Sequence, residues 1–273
     1  MAVDLHIHTT CSDGTSTPEK VVGLALRAGL SAIAITDHDA VAGVQRARQA
    51  AGTGMAVVSG VELSARAAGA GDVHLLGYLV DSSSPTLIRA LEAQRRSRVV
   101  RAVAMIDLLN EAGYEISIED VLRQAADGAV GRSHVARALL ERGEVPSVEH
   151  AFRELIGEEM PFYVAKHSFR LPEAVALVHG ASGVVVLAHP GISGDGALME
   201  LVEEGLDGIE AYHAEHTPRQ RAHYLSVATR FGLVATGGSD FHGVGTKSSV
   251  IGAGGCPDSA LAALRERALA QRS

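Results

Sequence analysis

Six short apolar runs in this 273-residue chain end in histidine or carboxylate side chains, and that repetition limits the fold more than any other feature. Ser31-Ala32-Ile33-Ala34-Ile35-Thr36 runs into Asp37-His38-Asp39, and Met55 to Val61 runs into Glu62. Gly183 to Ala188 ends at His189, Asp207 to Tyr212 ends at His213, and Leu233 to Ser239 ends at Asp240-Phe241-His242. The first run, Ala2 to His8, carries His6 and His8 at its close. A continuous Val/Ile/Ala/Leu run of this length is the pattern of a strand buried on both faces. Helical segments separate most of the runs. The first, for example, has Ser16 or Thr17 as a cap, Pro18 in its first turn and Gly29 at its close. Repeated βα units imply a parallel sheet, and such sheets collect chemistry at the C-terminal ends of their strands. Because polar groups arrive from nearly every strand, a closed barrel fits better than an open sheet.

His6 and His8 lie two residues apart, so in a strand both face the same side while Val3, Leu5 and Ile7 face a core. Two converging imidazoles are half of a metal site. Taken alone, the pair reads first as polar residues on an exposed edge strand. His74 is placed differently, inside the short strand Val73–Tyr78.

Hydrophobic residues make up 47% of the chain and aromatics only 4%, so the core must be aliphatic. The formal net charge of −8 argues against a broad face for long nucleic acid or for an anionic membrane. Cys11 and Cys256 make no disulfide framework, and no apolar leader or membrane-length run is evident. These features lead us to expect a soluble, reduced, cytoplasmic protein. The βα rhythm breaks at Ser84-Pro85, where a long helix begins that reaches about Asn110 or Glu111. Further helices are predicted over Ile118–Ala126, Ser133–Arg142 and Val148–Ile156. The expected organisation is a barrel built from 1–88 and 164–273, with an all-helical insertion over 89–163.

Asp4-Leu5-His6-Ile7-His8-Thr9, Thr36-Asp37-His38-Asp39, Gly60-Val61-Glu62, His74, Ala188-His189-Pro190 and Gly238-Ser239-Asp240-Phe241-His242 together resemble the PHP (polymerase and histidinol phosphatase) domain. The likeness covers the chain outside the helical insertion. It implies a distorted (β/α)7 barrel of the α/β class with two or three divalent metal ions. By that resemblance, His6, His8, Glu62 and Asp240 hold one metal, and Glu62 bridges to a second held by His74 and His189. Asp13, His38 and His242 hold a third. Imidazoles and carboxylates without thiolates suit Zn²⁺, Mn²⁺ or Fe²⁺. Such ions generate a hydroxide nucleophile at neutral pH and stabilise a phosphoryl group during displacement. Asp37, and less so Asp4 and Asp39, are expected to orient ligand imidazoles, and Cys11 is a bystander.

In the insertion, Arg95, Arg96, Arg98 and Arg101 read as a solvated helix face. Arg132, Ser133 and His134 open a helix, and Lys166 sits where the barrel resumes. By analogy with capped PHP phosphatases, these four would hold a second phosphate of the substrate; Ser133 as a plain helix cap and Lys166 on the surface is the alternative. His216 is assigned to leaving-group protonation or phosphate binding beside Glu62 and Asp240 as catalytic groups, and His213 is not needed as a ligand. His150, His167, His179 and His223 read as ordinary helix or loop residues.

The resemblance is strongest to stand-alone PHP enzymes that remove the 3′-phosphate from nucleoside 3′,5′-bisphosphates. The partner is then a small phosphorylated nucleotide or short RNA, with no membrane. Alternatives are a 5′-3′ exoribonuclease on short RNA, a cyclic phosphodiesterase, a histidinol-phosphate phosphatase, a non-catalytic nucleotide or metal sensor, and an amidohydrolase.

Overall fold

The structure is a computed structural model that describes residues 2–68, 71–193, 198–243, 246 and 248–271. β1 (Ala2–Asp4), α1 (Pro18–Arg27), β2 (Ala32–Ile35), α2 (Ala42–Ala51) and β3 (Ala56–Ala67) open the chain, and β4 (Gly71–Tyr78) follows. Four helices come next: α3 (Pro85–Glu111), α4 (Ile118–Ala125), α5 (Arg132–Glu141) and α6 (Val148–Ala151), the last running into a π-helical turn over Phe152–Ile156. The remainder is β5 (Phe169–Arg170), α7 (Leu171–Gly180), β6 (Val184–Leu187), α8 (Pro190–Ser193), α9 (Leu198–Glu203), β7 (Gly208–His213), α10 (Pro218–Phe231), β8 (Val234–Gly238), β9 (Cys256–Pro257) and α11 (Asp258–Ala270). The start of the helix expected at Ala197 lies outside the described residues.

Seven of the strands run side by side in the order β8-β7-β6-β4-β3-β2-β1, with β9 added to β1 and β5 to β3. The ring closes because β8 returns to the chain just beyond β1. Leu5 N–H donates to the Gly237 carbonyl at 3.1 Å, and Ile7 bridges Phe241 in parallel. Gly238 makes this approach possible: a Cβ there would lie 2.4 Å from His6 Cβ and from His6 N. The closing stretch is not a regular ladder. Ile7 N–H donates to the Thr36 hydroxyl at 3.0 Å, which is why β1 ends at Asp4 rather than at His8 as expected.

One expectation fails. The sheet is not all parallel, since β4 pairs antiparallel with both β3 and β6. No helix separates β3 from β4, so the chain doubles back as a hairpin instead of crossing over. This reversal explains His74. A strand running the wrong way brings its N-terminal half to the mouth where its neighbours end, and His74 pairs across with Ser64, two residues beyond Glu62.

The core is aliphatic, as the composition requires. Leu5, Leu76, Val184 and Val186 pack beneath α11 on Leu264, and Tyr78 donates its hydroxyl to the Leu5 carbonyl at 2.8 Å. Ile7, Val21, Ile33, Ile35 and Val44 form another part under α1 and α2. The helices α3–α6 gather around a core of their own that includes Met105, Leu109, Val121, Leu139 and Ile156. The start of α3 carries the predicted signals: Ser84 accepts Leu87 N–H through its side chain, and Pro85 occupies the first turn. No helix among the described residues is long and apolar enough to cross a membrane.

Candidate metal centre

The strand ends deliver their polar groups to a single point at the barrel mouth. His6 Nε2 and His8 Nε2 lie 3.1 Å apart. Glu62 Oε2 is 3.4 Å from the first and 3.1 Å from the second. Asp240 Oδ1 is 3.3 Å from His6 Nε2 and 3.2 Å from His8 Nε2. The other oxygen of Glu62, Oε1, faces the opposite way, 2.8 Å from His74 Nδ1 and 3.2 Å from His189 Nε2. Asp13 Oδ1 lies 3.4 Å from His242 Nε2 and 4.0 Å from His38 Nε2. His38 Nδ1 also sits 3.1 Å from Glu62 Oε2. All nine side chains expected as ligands are thereby brought around one centre, with His38 lying closer to Glu62 than to Asp13.

The donor set fits cations. Asp13 Oδ1, Glu62 Oε2, His38 Nδ1 and His74 Nδ1 are buried without a hydrogen-bond partner. Buried acceptors left unpaired are costly, and a cluster of them facing one another calls for positive charge between them. Groups drawn from His8, Asp13, His38 and His242, from His6, His8 and Asp240, and from His38, Glu62 and His74 each offer ligand atoms within 4.8 Å of one another. Burial pushes the Glu62 carboxyl up, but the imidazoles of His38, His74 and His6 outweigh it and hold the group well below the usual carboxylate range. Asp13 and Asp240 are likewise held low against burial by neighbouring histidines. The carboxylates are therefore anionic, as metal ligation requires.

A PHP domain profile matches residues 4–158. The chain belongs to the PHP family. It is 34% identical over 246 residues to a 5′-3′ exoribonuclease of Haemophilus influenzae, covering 88% of this chain and 89% of that one. It is 35% identical over 257 residues to a phosphoribosyl 1,2-cyclic phosphate 1,2-diphosphodiesterase of Eggerthella lenta, covering 89% and 95%. A 3′,5′-nucleoside bisphosphate phosphatase of Chromobacterium violaceum is 32% identical over 258 residues, covering 92% and 90%. A solved structure from Bifidobacterium adolescentis, provisionally assigned as a metal-dependent phosphoesterase, superposes with a TM-score of 0.89 at 33% identity, over 97% of this chain and 96% of that one.

The surroundings of the PHP centre correct several readings. Among the described residues, Asp37 makes no hydrogen bond to an imidazole. It accepts Thr9 N–H at 2.7 Å and the Thr9 and Ser12 hydroxyls at 2.8 and 2.7 Å, so it shapes the loop that presents Asp13. Asp4 accepts Ser239 N–H at 2.9 Å and Gly252 N–H at 2.7 Å, pinning the approach to Asp240. Asp39 pairs with Arg98 Nε at 2.6 Å, which ties the barrel to α3. The carboxylate that faces an expected ligand imidazole from behind is Glu210, inside β7, whose oxygens lie 3.2 and 3.3 Å from His6 Nδ1. Nothing in a strand-interior glutamate announces this, because its partner is 204 positions away.

His134 is buried, and its Nδ1 accepts Gly131 N–H at 2.9 Å. It caps α5 from within, and burial pushes its pKa down to about 4. Ser133 donates its hydroxyl to Asp13 Oδ2 at 3.2 Å, bracing an expected ligand rather than capping the helix. Arg137 adds a bond from Nη1 to the Asp13 carbonyl at 3.3 Å. His216 is occupied on both sides: its Nε2 accepts Gly191 N–H at 3.2 Å and its Nδ1 faces the Ala211 carbonyl at 3.1 Å. It staples β7 to α8, and no ring nitrogen is left for proton transfer.

Arg98 and Arg101 are not a solvated face. Arg101 donates from Nε to the Val164 carbonyl at 2.6 Å, lies 5.4 Å from the Tyr163 ring centroid, and leaves Nη2 buried without a partner. Arg132 sits over the same ring at 5.4 Å and over Phe152 at 5.7 Å. A small cavity is lined by Arg98, Arg101 and Arg132 together with Gly131 and Val135. Burial, then the charge of Arg132, pushes Arg101 down to about 10. Lys166 Nζ reaches Ser64 Oγ at 3.1 Å and His74 Nε2 at 2.9 Å, and burial lowers it to about 8. The i, i+3 spacing of Arg98 and Arg101, one turn before the buried Ala102 and Met105, is the signal that places both on the covered side of α3.

Proposed function

We propose that this PHP chain is a metal-dependent phosphoesterase that removes the 3′-phosphate from a nucleoside 3′,5′-bisphosphate. One observation carries the reading: a cluster of converging anionic carboxylates and imidazoles lies close to a small cavity lined by Arg101 and Arg132, where a Cβ on the lining Gly131 would lie 3.8 Å from Asp13 Oδ2. A substrate with two separated phosphates matches two such loci, one built for cations that grip a phosphoryl group and one built of cations. The relatives named for a bisphosphate and for RNA cleavage support the same class, since both descriptions involve phosphate esters of nucleotides. Residues 89–163 act as the cap that brings the second locus over the first.

His6, His8, Glu62 and Asp240 would hold one ion, Glu62 with His74 and His189 a second, and Asp13, His38 and His242 a third, with Mn²⁺, Zn²⁺ or Fe²⁺ suiting the ligands. Divalent ions held there supply a water-derived nucleophile at neutral pH and charge neutralisation for an in-line displacement. Glu62 uses its two oxygens on two sides, so one side chain sets the spacing of two positions. Arg101 and Arg132 bind the distal phosphate, and each guanidinium packs on the Tyr163 ring, 5.4 Å from its centroid. Lys166 Nζ, which donates to the Ser64 hydroxyl at 3.1 Å, donates toward the reacting phosphate from the barrel side. Both cysteines are free and buried, which accords with work in the reducing cytoplasm.

Steady-state rates after loading with Mn²⁺, Zn²⁺ or Fe²⁺ test this. The panel is a nucleoside 3′,5′-bisphosphate, the matching monophosphates, a cyclic phosphodiester, histidinol phosphate and short 5′-phosphorylated RNA, with metal analysis of the same samples. The bisphosphate is expected to give the highest kcat/KM. Equal rates on bisphosphate and monophosphates, or release of ammonia without phosphate, would overturn the proposal.

A further inference from the structure

Glu210 reaches the centre from behind, and none of the cluster's functions accounts for it. It is fully buried in β7. Its Oε2 accepts the backbone N–H of His189 at 2.8 Å, and its two oxygens lie 3.3 and 3.2 Å from His6 Nδ1. The backbone of His189 has φ +29°, a conformation that side-chain-bearing residues rarely adopt and that persists only where neighbours fix it.

We infer that Glu210 is a positioning residue for the metal centre, fixing the tautomer of His6 and the backbone of His189 with one carboxylate. A carboxylate only accepts, so His6 Nδ1 must carry the proton. A neutral ring then leaves its lone pair on Nε2, the atom that faces His8, Glu62 and Asp240 at 3.1, 3.4 and 3.3 Å. With the proton on Nε2 instead, an N–H would point into the cluster and that nitrogen could take no ion. The bond to His189 N–H and the contact with His6 hold two expected ligand-bearing residues at the mouth, the first on the neighbouring β6 and the second on the far side of β8. His213 stands beside the pair, its ligand atom within 4.8 Å of those of His6 and Glu210. That trio is a brace and not a further cation site, because the His6 nitrogen facing it carries a proton. The inference rests on reading His6 and His189 as ligands.

Glu210→Gln tests it with almost no change of shape. The amide sets an NH₂ group against the N–H groups that the carboxylate accepts, and it removes a negative charge behind the ligands. Metal affinity measured by chelator competition is expected to fall about 10- to 100-fold, the usual cost of losing such a partner. The circular dichroism of the metal-free variant should match wild type, and Glu210→Asp should recover part of the affinity. Wild-type affinity in folded Glu210→Gln would overturn the inference. A second measurement needs no variant: in ¹⁵N-histidine spectra of Zn²⁺-loaded wild-type protein, His6 must carry its proton on Nδ1, and a proton on Nε2 would overturn the inference. A wild-type protein that binds none of the three metals removes the underlying reading of the centre as well, so the two failures are told apart.

Discussion

Arg101→Ala separates a phosphate-binding pocket from a structural one. In the structure the Arg101 guanidinium is held by one bond, from Nε to the Val164 carbonyl, and by the Tyr163 face, while Nη2 is buried without a partner. A buried donor left unpaired costs roughly 1–3 kcal/mol, and a hydrogen bond to a charged group contributes roughly 1.5–3 kcal/mol. A phosphate seated between Arg101 and Arg132 would satisfy that donor and relieve the repulsion between the two cations. At about 1.4 kcal/mol per decade, removing the bond should lower kcat/KM for a nucleoside 3′,5′-bisphosphate by about 10- to 150-fold. The same variant should change kcat/KM for p-nitrophenyl phosphate, which has no second phosphate, by less than about threefold, a margin near the scatter of non-interacting sites. Arg101→Lys should fall between, because it keeps the charge and loses the fork. Arg132→Ala should act on the same substrate, and the double variant should lose less than the product of the two single losses, since both side chains serve one phosphate. The assay is steady-state phosphate release on both substrates with metal content held equal. Equal losses on the two substrates, or no loss on the bisphosphate, would refute the pocket as a phosphate site.

Glu62→Ala should remove metal and activity together. Glu62 faces five of the histidines through two oxygens, and metal affinity should drop by more than the roughly 100-fold that an outer partner costs; metal analysis showing a full complement would contradict its bridging place. Gly238→Ala should loosen barrel closure, because its Cβ would meet His6 backbone and Cβ at 2.4 Å. Overpacking of this kind costs roughly 1–3 kcal/mol, so Tm should fall by about 2–10 °C and metal affinity with it; an unchanged Tm would refute the close-approach argument. Asp207 supplies a pH prediction away from the centre. Burial pushes its carboxyl up, but bonds from His179, Val185 N–H and Gln271 outweigh burial and hold it below the usual range. A lowered folded-state pKa adds stability that is complete above the unfolded value of about 3.9 and is lost as pH falls through the lower folded value. In urea unfolding, the advantage of wild type over Asp207→Asn should therefore be level above about pH 5 and shrink below about pH 4; an advantage that grows with acidity would refute it.

What the sequence revealed and what it hid follow from how far each contact reaches along the chain. His6, His8, His189, Asp240 and His242 were legible because each follows a buried apolar run just past its strand, where chains in a barrel converge, and Glu62 because an apolar run leads into it, although β3 runs on to Ala67. Glu210 was hidden because its role is defined by His6, 204 positions earlier, and a polar residue inside a strand carries no mark of which face it serves. Arg98 and Arg101 were misread for a related reason. The period of α3 shows which residues share a face, but whether that face meets water depends on Asp39 and on Val164, which lie on other segments. The direction of β4 is the instructive case. Repeated βα units argue for parallel strands, yet β3 and β4 have no helix between them, and the histidine of β4 lies toward its start instead of at its end. In a barrel whose chemistry gathers at one rim, a functional residue on the N-terminal side of a strand is itself evidence that the strand runs backwards. His74, placed 2.8 Å from Glu62 by the antiparallel register, is the residue from which that reversal could have been deduced.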